Sequence, residues 1–162
     1  MIGDKKKGRN LSEIERGAVA YPIRSTLDLD KVIIVPRRWT PLTPKNVTVA
    51  RGYKIYYPDD PGPQNDSFHL AHLVHEIVHV WQYMYWDVSL YSPRWLNRRY
   101  HYELIEGDQF LDFGLEQQAA MFEDHFRLKR KLSMRWATND PSFELMDHVL
   151  TTSTDDQLPP FM

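Results

Sequence analysis

The longest amphipathic pattern in the chain runs from residue 67 to about residue 86 and predicts a helix. No proline or glycine interrupts it, and its apolar positions recur at spacings of three and four: Leu70, Leu73, Ile77, Val80 and Met84. Upstream, Pro61-Gly62-Pro63 blocks a helix, and Asn65-Asp66-Ser67 supplies capping side chains. We therefore expect a long helix with one face in the core.

A second helical pattern lies further along the chain. Leu115, Ala119, Phe122 and Phe126 are spaced four, three and four, which predicts a stripe facing the core. Ala119 and Ala120 are small, so this helix can approach the first one closely. Shorter helices are predicted over residues 11–18 and 142–150.

The remaining patterns predict strands. Residues 31–35 are rich in β-branched side chains, and residues 47–50 and 53–57 form a hairpin pattern around Arg51-Gly52. Six of the 11 prolines lie between residues 36 and 63, which excludes a long helix there. We expect a compact single α+β domain over residues 11–150, with a flexible basic tail over 1–10 and a C-terminal tail over 151–162.

Composition and charge exclude several classes of partner and of metal site. A net charge of −2 creates no field that favours nucleic acid or an anionic membrane, and the absence of cysteine excludes disulfides and thiolate metal sites. The N-terminal segment lacks the apolar part of a secretory signal, and no later stretch is long enough to span a membrane. We expect a protein made in the cytoplasm without a signal peptide and without membrane insertion.

The chemistry lies in His75-Glu76-Ile77-Val78-His79, inside the first predicted helix. Residues four apart share a helix face, so His75 and His79 can reach one metal ion. Glu76 is rotated by about 100°, close enough to act on a water at that metal. This spacing predicts two metal ligands and a general base, as in a zinc peptidase.

His69 and His72 lie on the same side of this helix and offer competing ligand pairs. We prefer His75 and His79 because they alone enclose a glutamate placed to act on water. We expect His69 and His72 to line the rim of the cleft or to hydrogen-bond within the fold. Entry of His72 into the metal site stays open.

Catalytic zinc usually takes a third protein ligand. The downstream candidates are His101, Glu103, Glu106, Asp108, Asp112, Glu116, Glu123, Asp124 and His125. We favour Glu116, on the flank of the second helix's apolar stripe, and Glu123 is the second choice. Nitrogen and oxygen ligands suit Zn²⁺ without excluding other divalent cations.

The segment over residues 87–114 joins the two helices and is rich in aromatic and arginine side chains, including Tyr91, Arg94 and Trp95. Tyr100 or His101 is the candidate that would hydrogen-bond a developing oxyanion. The alternative is that these aromatic rings only pack against the fold.

These motifs resemble those of gluzincin zinc peptidases, which have a glutamate on a second helix after HExxH. The metzincin branch needs a glycine and a third histidine, and Val80-Trp81-Gln82-Tyr83 contains neither. More narrowly, the run from His75 to Tyr83 and Glu116-Gln117-Gln118-Ala119 resemble bacterial Rhs- and VgrG-related proteins associated with type VI secretion. The resemblance covers about residues 11–126.

This resemblance implies a zincin-like fold, with a small antiparallel sheet packed on the HExxH helix and a second helix that carries a ligand. It implies a metallopeptidase with Zn²⁺ on His75, His79 and Glu116, Glu76 as general base, and a protein or peptide substrate. It also implies delivery on a secretion spike into the periplasm of a target cell, as an antibacterial toxin with a cognate immunity protein.

One position departs from the gluzincin pattern. Many gluzincins have an acidic residue four positions after the third ligand, where this chain has Ala120. Either a different residue orients the imidazoles, with Asp124 as the candidate, or this support is missing. Two other functions stay open: a zinc amidase that acts on cell-wall peptides, and a non-catalytic adaptor whose zinc site is closed by a fourth ligand such as His72.

Overall fold

A computed structural model of the protein describes residues 7–85 and 97–155. Its helices are α1 (Glu13–Gly17), α2 (Tyr21–Arg24), α3 (Ser67–Tyr85), α4 (Leu115–Lys129) and α5 (Phe143–Asp155). Its strands are β1 (Arg9–Asn10), β2 (Ile33–Val35), β3 (Val49–Arg51) and β4 (Lys54–Tyr56). The predicted α+β class is confirmed.

The four strands form one mixed sheet in the order β1-β2-β4-β3. The predicted hairpin is present as β3 and β4, and Gly52 takes the positive φ of 56° that its turn requires. The second strand of the hairpin lies beside β2, so those two strands run parallel, and the expectation of a purely antiparallel sheet is wrong. Ile34 and Ile55 pair across them and are fully buried.

The N-terminal segment joins this sheet earlier than the sequence predicts. Arg9 and Asn10 pair with β2, although a flexible tail is expected up to residue 10. The Arg9 guanidinium binds the Glu15 carboxylate at 2.8 and 2.9 Å and the Asp60 carboxylate at 2.8 Å. These ion pairs hold the strand in place.

Helices α3 and α4 pack against each other and form the centre of the core. The side chain of Asp66 accepts the backbone N–H of His69 at 2.8 Å, which caps α3 as the sequence predicts. The predicted stripe on α4 is buried, and Ala119 and Ala120 are fully enclosed. On its other side, α3 packs on β3 and β4.

The shorter helices differ from the predictions mainly at their ends. Ser12 caps α1 through a capping box with Glu15. Helix α5 continues past residue 150, where a tail is expected, because no proline or glycine lies between residues 142 and 155. None of the helices over the described ranges is long and apolar enough to cross a lipid bilayer.

Candidate metal centre

His75, His79 and Glu116 meet at the contact between α3 and α4. Their ligand atoms all lie within 4.8 Å of one another. Glu116 Oε2 is 3.2 Å from His75 Nε2 and 2.9 Å from His79 Nε2. Both imidazoles are buried because they lie on the face of α3 that packs on α4. Glu116 lies in the first turn of α4.

The opposite nitrogen of each imidazole is held by an acceptor. His75 Nδ1 lies 3.1 Å from Glu123 Oε2, and His79 Nδ1 lies 2.8 Å from Gln82 Oε1. The Gln82 amide nitrogen donates to the carbonyl of Leu115 at 3.0 Å, which leaves its oxygen to face His79. Each of these acceptors can take a hydrogen bond from Nδ1, which directs the Nε2 atom of the ring toward Glu116, as metal-binding histidines commonly are oriented.

The carboxylates around His75 favour positive charge at this position. Burial alone would lower the pKa of His75, but hydrogen bonds to Glu116 and Glu123 raise it to about 9. Burial would raise the pKa of Glu116, yet the two histidines hold it well below its usual range. Two imidazole nitrogens and one carboxylate are a donor set that fits Zn²⁺.

The residues that orient the imidazoles are Glu123 and Gln82. Glu123 also accepts the indole N–H of Trp136 at 2.7 Å, and Gln82 donates to Gln118 Oε1 at 2.9 Å. Glu123 is predicted from the sequence as the second-choice ligand, with a salt bridge as the alternative, and no role is predicted for Gln82. The available signal for Gln82 was a polar residue three positions after His79, within an otherwise apolar stretch.

The expected supporting role of Asp124 is wrong. Its carboxylate accepts the Tyr102 hydroxyl at 3.0 Å and the backbone N–H groups of Arg135, Trp136 and Ala137. These bonds use the carboxylate to fix the loop that carries Trp136. Asp124 therefore acts on the site through Trp136 and does not contact the imidazoles.

The three metal-binding candidates open into a cleft of about 510 Å³. Glu76 lines this cleft beside them, and β3 forms one wall at the edge of the sheet. The Tyr100 ring stacks between His75, at a centroid distance of 5.7 Å, and Trp136, at 4.9 Å. Burial, followed by the charges of Glu116 and Glu76, raises the pKa of Tyr100 to about 12.

Two other histidines on α3 stay outside the group of metal-binding candidates. His69 Nε2 contacts Glu15 Oε1 at 3.2 Å, and His72 Nε2 contacts the Thr48 hydroxyl at 3.0 Å. His72 lines the cleft, and burial lowers its pKa. Among the described residues, the cluster of possible ligands consists of His75, His79 and Glu116.

Other sequence candidates lie away from the centre. His101 is exposed, donates through Nδ1 to the Trp136 carbonyl at 3.2 Å, and is not among the residues that line the cleft. His125 pairs with Asp147 at 2.8 Å. Tyr91, Arg94 and Trp95 lie outside the described residues.

No protein-family model matches the chain, and no curated protein matches it either. Among solved structures, the chain is similar to the effector domain of Pseudomonas aeruginosa VgrG2b, with a TM-score of 0.62 and 23% sequence identity. The alignment covers 80% of each chain. At this identity the likeness establishes a shared fold.

Proposed function

We propose that this protein is a zinc metallopeptidase that hydrolyses peptide bonds. His75, His79 and Glu116 would hold the metal ion, and Glu76 would be the general base. The observation that carries the proposal is the convergence of two Nε2 atoms on Glu116 Oε2, inside a cleft that Glu76 also lines.

A zinc ion bound here would polarise the scissile carbonyl and lower the pKa of an attacking water. Glu76 has a side chain that is largely buried, and its carboxylate would take the water's proton and pass it to the leaving amine. Tyr100 keeps its proton near neutral pH, so its hydroxyl would donate a hydrogen bond to the developing oxyanion. Of the two oxyanion candidates, the cleft favours Tyr100 over His101.

An extended peptide is the substrate shape that this cleft suits. In the part of the chain that the structure describes, strand β3 pairs with β4 and has no strand on its other side, and residues 49–51 line the cleft. A substrate backbone could add to this edge as a further strand, with main-chain hydrogen bonds that do not depend on its sequence. This edge favours a peptidase over an adaptor that uses zinc only for structure.

The proposal extends to delivery by type VI secretion. Its support is the fold shared with a VgrG2b effector domain. In this proposal the protein travels on a secretion spike into a target cell's periplasm and acts there as an antibacterial toxin. A producing cell would then need an immunity protein that blocks the cleft.

The decisive experiment compares the wild-type protein with Glu76→Gln. Zinc-loaded wild-type protein should cleave members of a proteome-derived peptide mixture, detected by mass spectrometry. Glu76→Gln should retain zinc and fold but lose cleavage by about 10²–10⁴-fold, the usual contribution of a general base. Glu103→Gln makes the same charge change at an exposed site outside the cleft and should cleave normally.

Other outcomes would contradict the proposal. Equal cleavage by Glu76→Gln would exclude Glu76 as the base. Release of muropeptide fragments without cleavage of ordinary peptides would identify a cell-wall amidase. A zinc-loaded protein that cleaves neither kind of substrate would support the adaptor.

A further inference from the structure

Side chains of both charges line the cleft. Three of them are the carboxylates of Glu76, Glu116 and Glu123, and three are arginines: Arg51, Arg98 and Arg135. Arg135 is engaged, since its guanidinium lies 3.7 Å from Glu123 Oε1 and 4.4 Å from the centre of the Trp136 ring. Over residues 7–85 and 97–155, neither Arg51 nor Arg98 has a carboxylate partner.

Arg51 is the less solvated of these two cations. It is half-buried at the end of β3, its guanidinium lies 4.4 Å from the centre of the Trp39 ring, and one nitrogen donates to the Ala50 carbonyl at 2.7 Å. Its Nε is buried and has no hydrogen-bond partner in the described part of the chain. Burial lowers the pKa of Arg51, and the charge of Arg98 adds to that effect.

A guanidinium stays charged at any pH the protein meets, so Arg51 cannot relieve this cost by losing its proton. Burying a charge is unfavourable unless an opposite charge accompanies it. A carboxylate is the natural complement, because it accepts parallel hydrogen bonds from a guanidinium. A second cation nearby, here Arg98, makes the free energy of binding an anion more favourable.

We propose that Arg51 and Arg98 form a subsite for a substrate carboxylate, so that the protein selects acidic peptides. The inference rests on the proposed peptidase function, because it assigns the arginines to the same substrate. Arg51 belongs to the edge strand on which a peptide backbone would pair, and in a strand Val49 and Arg51 share a face. The carboxylate would come from an aspartate or glutamate side chain or from a peptide C-terminus.

Binding to a variant that does not cleave tests this subsite. Zinc-loaded protein with Glu76→Gln is titrated with three hexapeptide libraries that carry a neutral fluorophore at the N-terminus. One has a fixed central glutamate and an amidated C-terminus, the second replaces that glutamate with glutamine, and the third is the glutamine library with a free C-terminal carboxylate. The dissociation constant of each library is measured by fluorescence anisotropy.

We expect a carboxylate-bearing library to bind about tenfold more tightly than the neutral one. Preference for the first library identifies a side chain as the source of the carboxylate, and preference for the third identifies a chain terminus. Adding Arg51→Gln or Arg98→Gln should bring the ratio close to one. Adding Arg99→Gln, a neighbouring exposed arginine outside the lining of the cleft, should leave the ratio unchanged.

Three results would overturn the inference: equal binding of all libraries, no binding of any library, or a preference that survives both Arg51→Gln and Arg98→Gln. Circular dichroism and a melting temperature establish that each variant folds, and Arg98 is exposed, so its substitution should not disturb the core. Failure of this subsite can be distinguished from failure of the proposed peptidase function. Carboxylate preference without cleavage by the wild-type protein supports the subsite and contradicts the peptidase, whereas cleavage without preference does the reverse.

Discussion

The two imidazoles of the candidate metal centre have different hydrogen-bond acceptors at Nδ1. His75 donates to a carboxylate, Glu123, whereas His79 donates to the neutral amide oxygen of Gln82. An anionic acceptor raises the basicity of an imidazole more than an amide does. The Gln82 amide is instead fixed in position, because its nitrogen donates hydrogen bonds to the Leu115 carbonyl and to Gln118 Oε1.

Gln82→Leu should weaken zinc binding by about 10–100-fold, as loss of a residue that orients a ligand typically does. It should also destabilise the fold by about 1–3 kcal/mol, because the Leu115 carbonyl loses a buried donor. Competition with a chelator measures the affinity, and urea unfolding measures the stability. The exposed Gln64→Leu is the matched control, and an unchanged affinity in Gln82→Leu would show that His79 needs no such support.

At the scale of elements, α3 makes contacts in both of its halves that fix its position. Its second half carries the candidate metal ligands, and its first turn is anchored by His69, which contacts Glu15 at 3.2 Å. Glu15 in turn binds Arg9 of β1. This buried network connects the first strand and the first helix with the helix that carries His75 and His79.

Because of this network, the stability of the fold should fall at acid pH. Burial would raise the pKa of Glu15, but the hydrogen bond from Arg9 and the backbone bond from Ser12 lower it from 4.5 to about 2. A carboxylate with a depressed folded-state pKa stabilises the protein above its unfolded-state pKa. That contribution is therefore complete above pH 4.5 and is lost as the pH falls towards 2.

Glu15→Gln should lower the free energy of unfolding at pH 7 and flatten its decline between pH 4.5 and 2 relative to wild type. Urea titrations across this range measure both effects. Glu13→Gln changes the same charge on an exposed position of α1 and should follow the wild-type curve. A Glu15→Gln curve parallel to wild type would contradict the assignment.

At the scale of the whole molecule, the candidate metal centre joins elements that are distant in the chain. The candidate ligands come from α3 and α4, and α3 also packs on the sheet whose edge forms a wall of the cleft. An ion held by both helices would bind the folded state and not the unfolded one. Metal binding is thus coupled to stability.

Zinc should raise the melting temperature in a concentration-dependent way, and a chelator should reverse the effect. At a hundredfold excess over the dissociation constant, the gain is about 2.7 kcal/mol. Glu116→Gln should lose most of this gain, whereas Glu106→Gln, an exposed glutamate outside the cleft, should keep it. Calorimetry of the metal-free and zinc-saturated forms provides the measurement, and an identical response of both variants would exclude Glu116 as a ligand.

Local patterns predicted much of this architecture. The bounds of α3, the buried stripe of α4 and the β3–β4 hairpin follow from spacings of a few residues, where neighbours in sequence are neighbours in space. The parallel pairing of β2 with β4 does not follow in this way. It depends on which strand of the hairpin lies beside β2 after the chain has crossed a long loop.

The sequence by itself determined that His75 and His79 share a helix face, because residues four apart on a helix lie on the same side. It also determined that a carboxylate from α4 could meet them, because the small alanines of α4 allow the two helices to approach closely. Only the tertiary structure decided that Glu123 and Gln82 orient the imidazoles, that Asp124 binds the loop instead, and that His101 faces solvent. Glu123 and Asp124 differ by about 100° around one helix axis. The packing of α4 against α3 selects between them, and that rotation is a property of the whole fold.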